Sequence, residues 1–185
     1  VGLAKGLSCN VTLMELDLMN NSIGDLGASA LVDVLRTKSN LHRLHLGDNN
    51  IGDEGATSIA KYLAENTTLT RVYLEHNKIG DRGAYSLAEA LRVNVTLKKL
   101  SLLSNCIGDE GVTALAESLR FNPTLSHLNL RTCRCYSTSL AERALEGTIR
   151  HKVDSSSDLE TVLIKLIGCD GGNILAKEYR MRFSA

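Results

Sequence analysis

Leucines recur along this chain on a fixed step. Leu13, Leu41, Leu69, Leu97 and Leu125 stand 28 residues apart, and each opens a segment of the form L-x-x-L-x-L. In Leu41, Leu44 and Leu46 the last pair alternates with a polar neighbour, the period of a short strand with one buried face. Further along, Ala56, Ile59, Ala60 and Leu63 fall three and four apart, one stripe of an amphipathic helix. Each step therefore predicts one strand followed by one helix. A single strand–helix pair cannot bury its own apolar face, so neighbouring units must stack. The stack is an α/β solenoid of right-handed curvature, with parallel strands on the concave face and helices on the convex face.

Polar positions keep the same step. Asn21, Asn49, Asn77 and Asn105 recur after each strand, followed by Ile23, Ile51, Ile79 and Ile107. Gly-Asp doublets at 24–25, 52–53, 80–81 and 108–109 come next, then Gly27, Gly55, Gly83 and Gly111. The asparagines are expected to turn inward and bond the loop backbone as a structural ladder, with Cys133 taking that position in the fifth unit. Gly52 and Gly55 suit a tight strand-to-helix turn. Asp53 is expected to sit just before its helix and cap that helix's free N–H groups.

Unit boundaries follow. Residues 1–12 read as a half repeat through Leu3, Ala4, Leu7, Asn10 and Thr12. Full repeats start at 13, 41, 69, 97 and 125, the array ends near 150, and 151–185 form a degenerate C-terminal cap. In the fifth unit Cys135 replaces the isoleucine and Tyr136-Ser137-Thr138-Ser139 replaces the G-D-x-G turn. Within the cap, Leu159, Val162, Leu163, Leu166 and Ile167 fit one helix face. Leu159, Val162 and Ile164 also fit a sixth strand, which the β-branched residues favour. The chain opens inside a repeat, so a piece of a longer array is expected. A homodimer through its uncapped first layer is one consequence.

The segment N-x-I-G-D-E-G-A-x-x-x-A followed by N-x-T-L resembles leucine-rich repeats of the ribonuclease-inhibitor type, most of all those of NOD-like receptors. The resemblance spans about residues 1–150. It implies a horseshoe that binds other proteins, here a ligand-sensing or autoinhibitory fragment of a larger NOD-like-receptor-type protein. Two alternatives resemble other users of the fold. One is a GTPase-activating regulator of the Ran GTPase-activating-protein kind, against which the basic Lys177, Arg180 and Arg182 count, because that family carries an acidic tail. The other is an actin-associated repeat domain of the tropomodulin kind.

Composition narrows the chemistry. The chain has 185 residues, with Lys+Arg 21 against Asp+Glu 21, so no basic excess favours nucleic acid. No apolar run is long enough to span a membrane. Aromatic residues make up 4% and Trp is absent, so aliphatic side chains fill the core. The five cysteines form no disulfide framework, and Cys133-x-Cys135 is too close for a zinc knuckle, so reduced thiols in the cytoplasm are expected. The sequons at Asn10, Asn66 and Asn94 recur at the helix-to-strand corner and belong to the repeat pattern. No nucleophile elbow or phosphate loop occurs. We expect no enzyme, no cofactor and no metal site.

Binding is expected on the concave strand face, with a protein partner. The third position of the units carries Glu15, Arg43, Arg71, Lys99 and His127, and the fifth carries Asp17, His45, Tyr73, Ser101 and Asn129. The seventh carries Met19, Gly47, Glu75, Leu103 and Arg131, and the eighth Asn20, Asp48, His76, Ser104 and Thr132. Candidate contact residues are Arg43, His45, Asp48, Arg71, Tyr73, Glu75, His76, Lys99, Leu103, His127 and Arg131. Stacked Arg43, Arg71 and Lys99 repel one another, and Glu75 and Asp48 are expected to compensate in part. Tyr73 is the one aromatic of the face, flanked by Arg71 and His45, and Tyr and Arg commonly anchor interfaces. His45 and His76 stand three positions apart along neighbouring strands, about 10 Å, too far for one tetrahedral ion.

Overall fold

A computed structural model describes Leu7, Asn10, residues 12–36 and residues 40–130. Among residues 12–130 the described elements are β1 (Glu15–Asp17), α1 (Gly24–Leu35), β2 (Arg43–His45), α2 (Asp53–Glu65), β3 (Arg71–Tyr73), α3 (Asp81–Val93), β4 (Lys99–Ser101), α4 (Asp109–Leu119) and β5 (His127–Asn129). The strands form one parallel sheet in the order β1-β2-β3-β4-β5. Their register follows the 28-residue step, so Leu16, Leu44, Val72, Leu100 and Leu128 lie in one row. The sequence-predicted α/β solenoid is thus the fold. Strands stack at about 4.8 Å, whereas helices need about 8–10 Å between axes, so the stack bends with its strands inside.

The core is aliphatic and layered. Leu44 and Leu46 are fully buried, as are Leu69, Leu74 and Ile79 of the next unit. Each helix supplies its stripe from the other side: Ala56, Ile59 and Leu63 in α2, then Ala84, Leu87 and Leu91 in α3. A buried leucine contributes roughly 1.5–3 kcal/mol relative to an exposed one, and every unit repeats the contribution.

Polar side chains join the layers. Asn49 is fully buried. Its Nδ2 donates to the carbonyls of Leu18 and Gly47, and its Oδ1 accepts from the amides of Asn21 and Ile23. Asn77 repeats this one layer on, donating to the carbonyls of Leu46 and Leu74 and accepting from the amides of Asn49 and Ile51. Asn105 donates to Leu74 and Leu102 and accepts from Ile79. Each of these asparagines therefore reaches back to the unit before it. Asn21 differs: it is exposed and donates to the Met19 carbonyl. The other predicted ladder residue, Cys133, lies outside the described residues, as does the 151–185 cap with its strand-or-helix question.

The aspartates behave otherwise than expected. Asp53 is the first residue of α2, not its N-cap; Gly52 is, and no side chain of that residue can cap. Instead the aspartates of the first three Gly-Asp doublets reach forward to the next helix. Asp25 Oδ1 accepts from the amides of Gly52 and Gly55 at 2.6 and 2.9 Å. Asp53 does the same for Gly80 and Gly83, and Asp81 for Gly108 and Gly111. A carboxylate at a helix N-terminus satisfies free donors and meets the positive end of the dipole. The second glycine of the motif makes room for it. A Cβ on Gly111 would come within 2.6 Å of Asp81 Oδ1, 2.7 Å of Ile107 Cγ2 and 2.9 Å of Ala84 Cβ.

A third set of side chains closes the helix-to-strand corner. Asn94 ends α3 in an extended conformation. Its Oδ1 accepts from the amides of Thr96 and Leu97, and its Nδ2 donates to the carbonyls of Leu63 and Asn66. Asn122 repeats the arrangement on Thr124, Leu125, Leu91 and Asn94. The sequon amide of Asn94 is thus buried and committed to main-chain carbonyls.

Asn77→Ala leaves several buried main-chain groups unpaired and is expected to cost about 1–3 kcal/mol in chemical denaturation. Asn21→Ala, at an exposed site, is expected to stay within about 0.5 kcal/mol. For Gly111→Ala, helix propensity alone favours alanine by up to about 1 kcal/mol. The crowding at its Cβ costs about 1–3 kcal/mol, so a lowered unfolding midpoint is expected.

Candidate functional site

Each strand has three residues, and its central one points into the core. Strand alternation therefore sends the flanking third and fifth positions to the concave face. The register sets Glu15, Arg43, Arg71, Lys99 and His127 in one row and Asp17, His45, Tyr73, Ser101 and Asn129 in the other. The seventh and eighth positions lie beyond the strands. Asp48 and His76 occupy turns of left-handed backbone, with φ of 52° and 53°, and both are exposed. Leu103 is half-buried, and Arg131 lies outside the described residues.

The basic row is compensated differently from the expectation. Arg43 Nη1 pairs with Glu15 Oε2 at 3.0 Å, across the β1–β2 boundary. Glu75 leans instead over Gly47, where a Cβ would sit 3.2 Å from its Cγ. Asp48 is drawn off the strand by its turn. The Arg71 side chain is exposed and has no ion pair or hydrogen bond among the described residues. Glu15, which the candidate set omitted, is thus part of the face; its place at the head of the row was the available signal.

Tyr73 is the centre of the second row. The His45 ring stacks on it from β2, with centroids 3.9 Å apart and planes 20° from parallel. From the β4 side, Lys99 Nζ lies 5.1 Å from the Tyr73 centroid. The cation beside the ring is therefore Lys99, reached diagonally, where the sequence pointed to Arg71. Three buried atoms at this face, Arg43 Nε, His45 Nδ1 and Glu75 Oε2, have no hydrogen-bond partner among the described residues. His127 is exposed, its Nδ1 2.8 Å from Ser126 Oγ.

Among the described residues no three His, Cys, Asp or Glu side chains are placed to hold a metal ion. No helix of the described residues is long and apolar enough to cross a membrane. Cys106 is a half-buried free thiol. Sequence reasoning also missed an apolar corner on the convex side. Val93, Val95 and Phe121 are exposed there, and the Arg92 guanidinium lies 5.2 Å from the Phe121 centroid. The signal was the change from Glu65 and Thr67 to valines at the same positions one unit later.

Comparison with known proteins agrees with this architecture. The sequence profile of the family described as Leucine Rich repeat matches residues 9–32, 37–60, 65–88 and 93–116. No curated protein sequence is significantly similar to the chain. Among solved structures, the one described as leiomodin-1 actin-binding site 2 superposes with a TM-score of 0.70 at 20% identity, covering 82% of this chain and 88% of its own. The tropomodulin C-terminal domain from Caenorhabditis elegans superposes with a TM-score of 0.67 at 11% identity, covering 83% of this chain and 93% of its own. At these identities the likeness is one of fold.

The face and the core are expected to separate in stability measurements. Tyr73→Ala removes one half-buried ring stack and is expected to cost about 1 kcal/mol. Leu100→Ala, one residue from the same face but fully buried, is expected to cost about 2–5 kcal/mol. Equal losses in thermal unfolding would make Tyr73 a core residue.

Proposed function

We propose, from the premise that this chain belongs to the leucine-rich repeat family, that it is a non-enzymatic module that docks a protein partner on its concave strand face. One observation carries the reading: His45, Tyr73 and Lys99, from three adjacent strands, converge into a single stack of rings and charge. The strands hold these side chains in place before binding, so little conformational entropy is lost when a partner arrives. Aromatic and cationic side chains so held are the usual anchors of binding energy. Arg43, Arg71, Glu75, Leu103 and His127 surround them, with Asp48 and His76 at the rim. The free thiol of Cys106 fits a cytoplasmic setting.

For the partner, actin is the reading that a specific observation favours. The leiomodin-1 structure is described as an actin-binding site, and most of both chains superpose. A fragment of a NOD-like-receptor-type protein rests on the repeat motif alone. It requires a nucleotide-binding domain upstream in the parent reading frame.

Wild-type protein is expected to co-sediment with actin filaments or to shift monomeric actin on a native gel. The Arg71→Ala/Tyr73→Ala variant is expected to do neither while keeping its circular dichroism. Failure of the wild type with both forms of actin removes actin as the partner. Undiminished binding by the double variant removes the strand face as the docking surface.

A further inference from the structure

The three cations of the strand face are not equivalent. Arg43, Arg71 and Lys99 are cross-strand neighbours in register. Arg43 shares its charge with Glu15. Lys99 lies over the Tyr73 ring, which attracts a cation without neutralising it. Arg71, between them, has no carboxylate among the described residues. Two positive charges therefore stand side by side with nothing to balance them, and like charges directly opposite each other weaken a sheet. The acids of the face lie elsewhere: Glu75 leans towards β2 over Gly47, and Asp48 is on its turn. The face is thus basic where β3 and β4 begin and acidic beyond the ends of β2 and β3.

The spacing of the pair limits what can neutralise it. Adjacent strands stand about 4.8 Å apart. A helix laid across the strands presents one residue per turn at about 5.4 Å, close to that interval. An extended segment presents same-face residues at about 6.6–6.8 Å and falls out of step after one strand. We infer that Arg71 and Lys99, with the Tyr73 ring beside them, seat an acidic helix of the partner protein, which crosses the strands and offers carboxylates from successive turns. The inference rests on the strand face being the docking surface. It adds the chemistry and the conformation of what docks there.

The test uses fluorescein-labelled synthetic peptides and the whole chain, read by fluorescence anisotropy at low salt. The first probe is an alanine-based helical peptide with glutamates spaced alternately three and four residues apart, so that one falls on the same face at each turn. The second has the same composition with the glutamates scrambled around the helix, and the third is hexaglutamate. The first is expected to bind at least tenfold more tightly than the other two. Arg71→Glu/Lys99→Glu is expected to lower its affinity at least tenfold with circular dichroism unchanged. Glu15→Gln is expected to raise it severalfold, because Arg43 is then released to join the pair. Equal binding of all three peptides, or no effect of Arg71→Glu/Lys99→Glu, overturns the inference. So does absence of peptide binding; if actin binding is still lost in Arg71→Ala/Tyr73→Ala, the docking face stands and only the acidic helix falls.

Discussion

Everything in this structure depends on buried main-chain groups at the turns finding partners in the next layer. A strand of three residues and a loop that leads directly into a helix leave many amides and carbonyls without local partners. The chain meets that need with side chains placed one unit away. Asn49 and Asn77 reach back. Asp25 and Asp53 reach forward. The junctions between the first four units are thus clasped from both sides, and none of these units is complete alone. The aliphatic core supplies the larger free energy, but it is not directional. The polar clasp fixes the stagger of one unit against the next, and with it the rows on the concave face.

Those rows give the binding surface its character. A registered parallel sheet brings equivalent positions of different units into contact, so residues far apart in sequence become immediate neighbours. Glu15 meets Arg43, and His45, Tyr73 and Lys99 meet as one group. None of these contacts supports the core, which lies on the opposite side of the strands. The face is therefore free to vary in chemistry while the scaffold keeps its form, and fold likeness to the leiomodin-1 and tropomodulin domains says little about which side chains it carries.

Over the described residues the fold was legible in the sequence, because the pattern that encodes it recurs. The step of the leucines, the change of period from strand to helix and the placing of Asn49, Asn77 and Asn105 each followed from spacing alone, whereas Asn21 departs from the ladder. The aspartates were misread for a physical reason: capping is usually local, and an acid beside its own helix start fits that rule. Here the acceptor that the sequence places in one unit serves donors in the next, and the crowded second glycine was the trace of it. The site was legible as two rows but not as pairings within them. Spacing tells which side chains share a face. Whether a lysine or an arginine lies over a ring, or which acid a guanidinium chooses, depends on rotamers and diagonal distances that no periodicity records.

The two-way clasp also governs how such a chain can change its length. Removing or duplicating one whole 28-residue segment among the middle units leaves every donor facing an acceptor of the same kind, since Asn49, Asn77 and Asn105 and Asp25, Asp53 and Asp81 make equivalent bonds. Any other insertion within the segment between Asn49 and Gly83 shifts asparagine against amide and aspartate against glycine. Gene duplication can therefore lengthen the array freely, but only in integral modules.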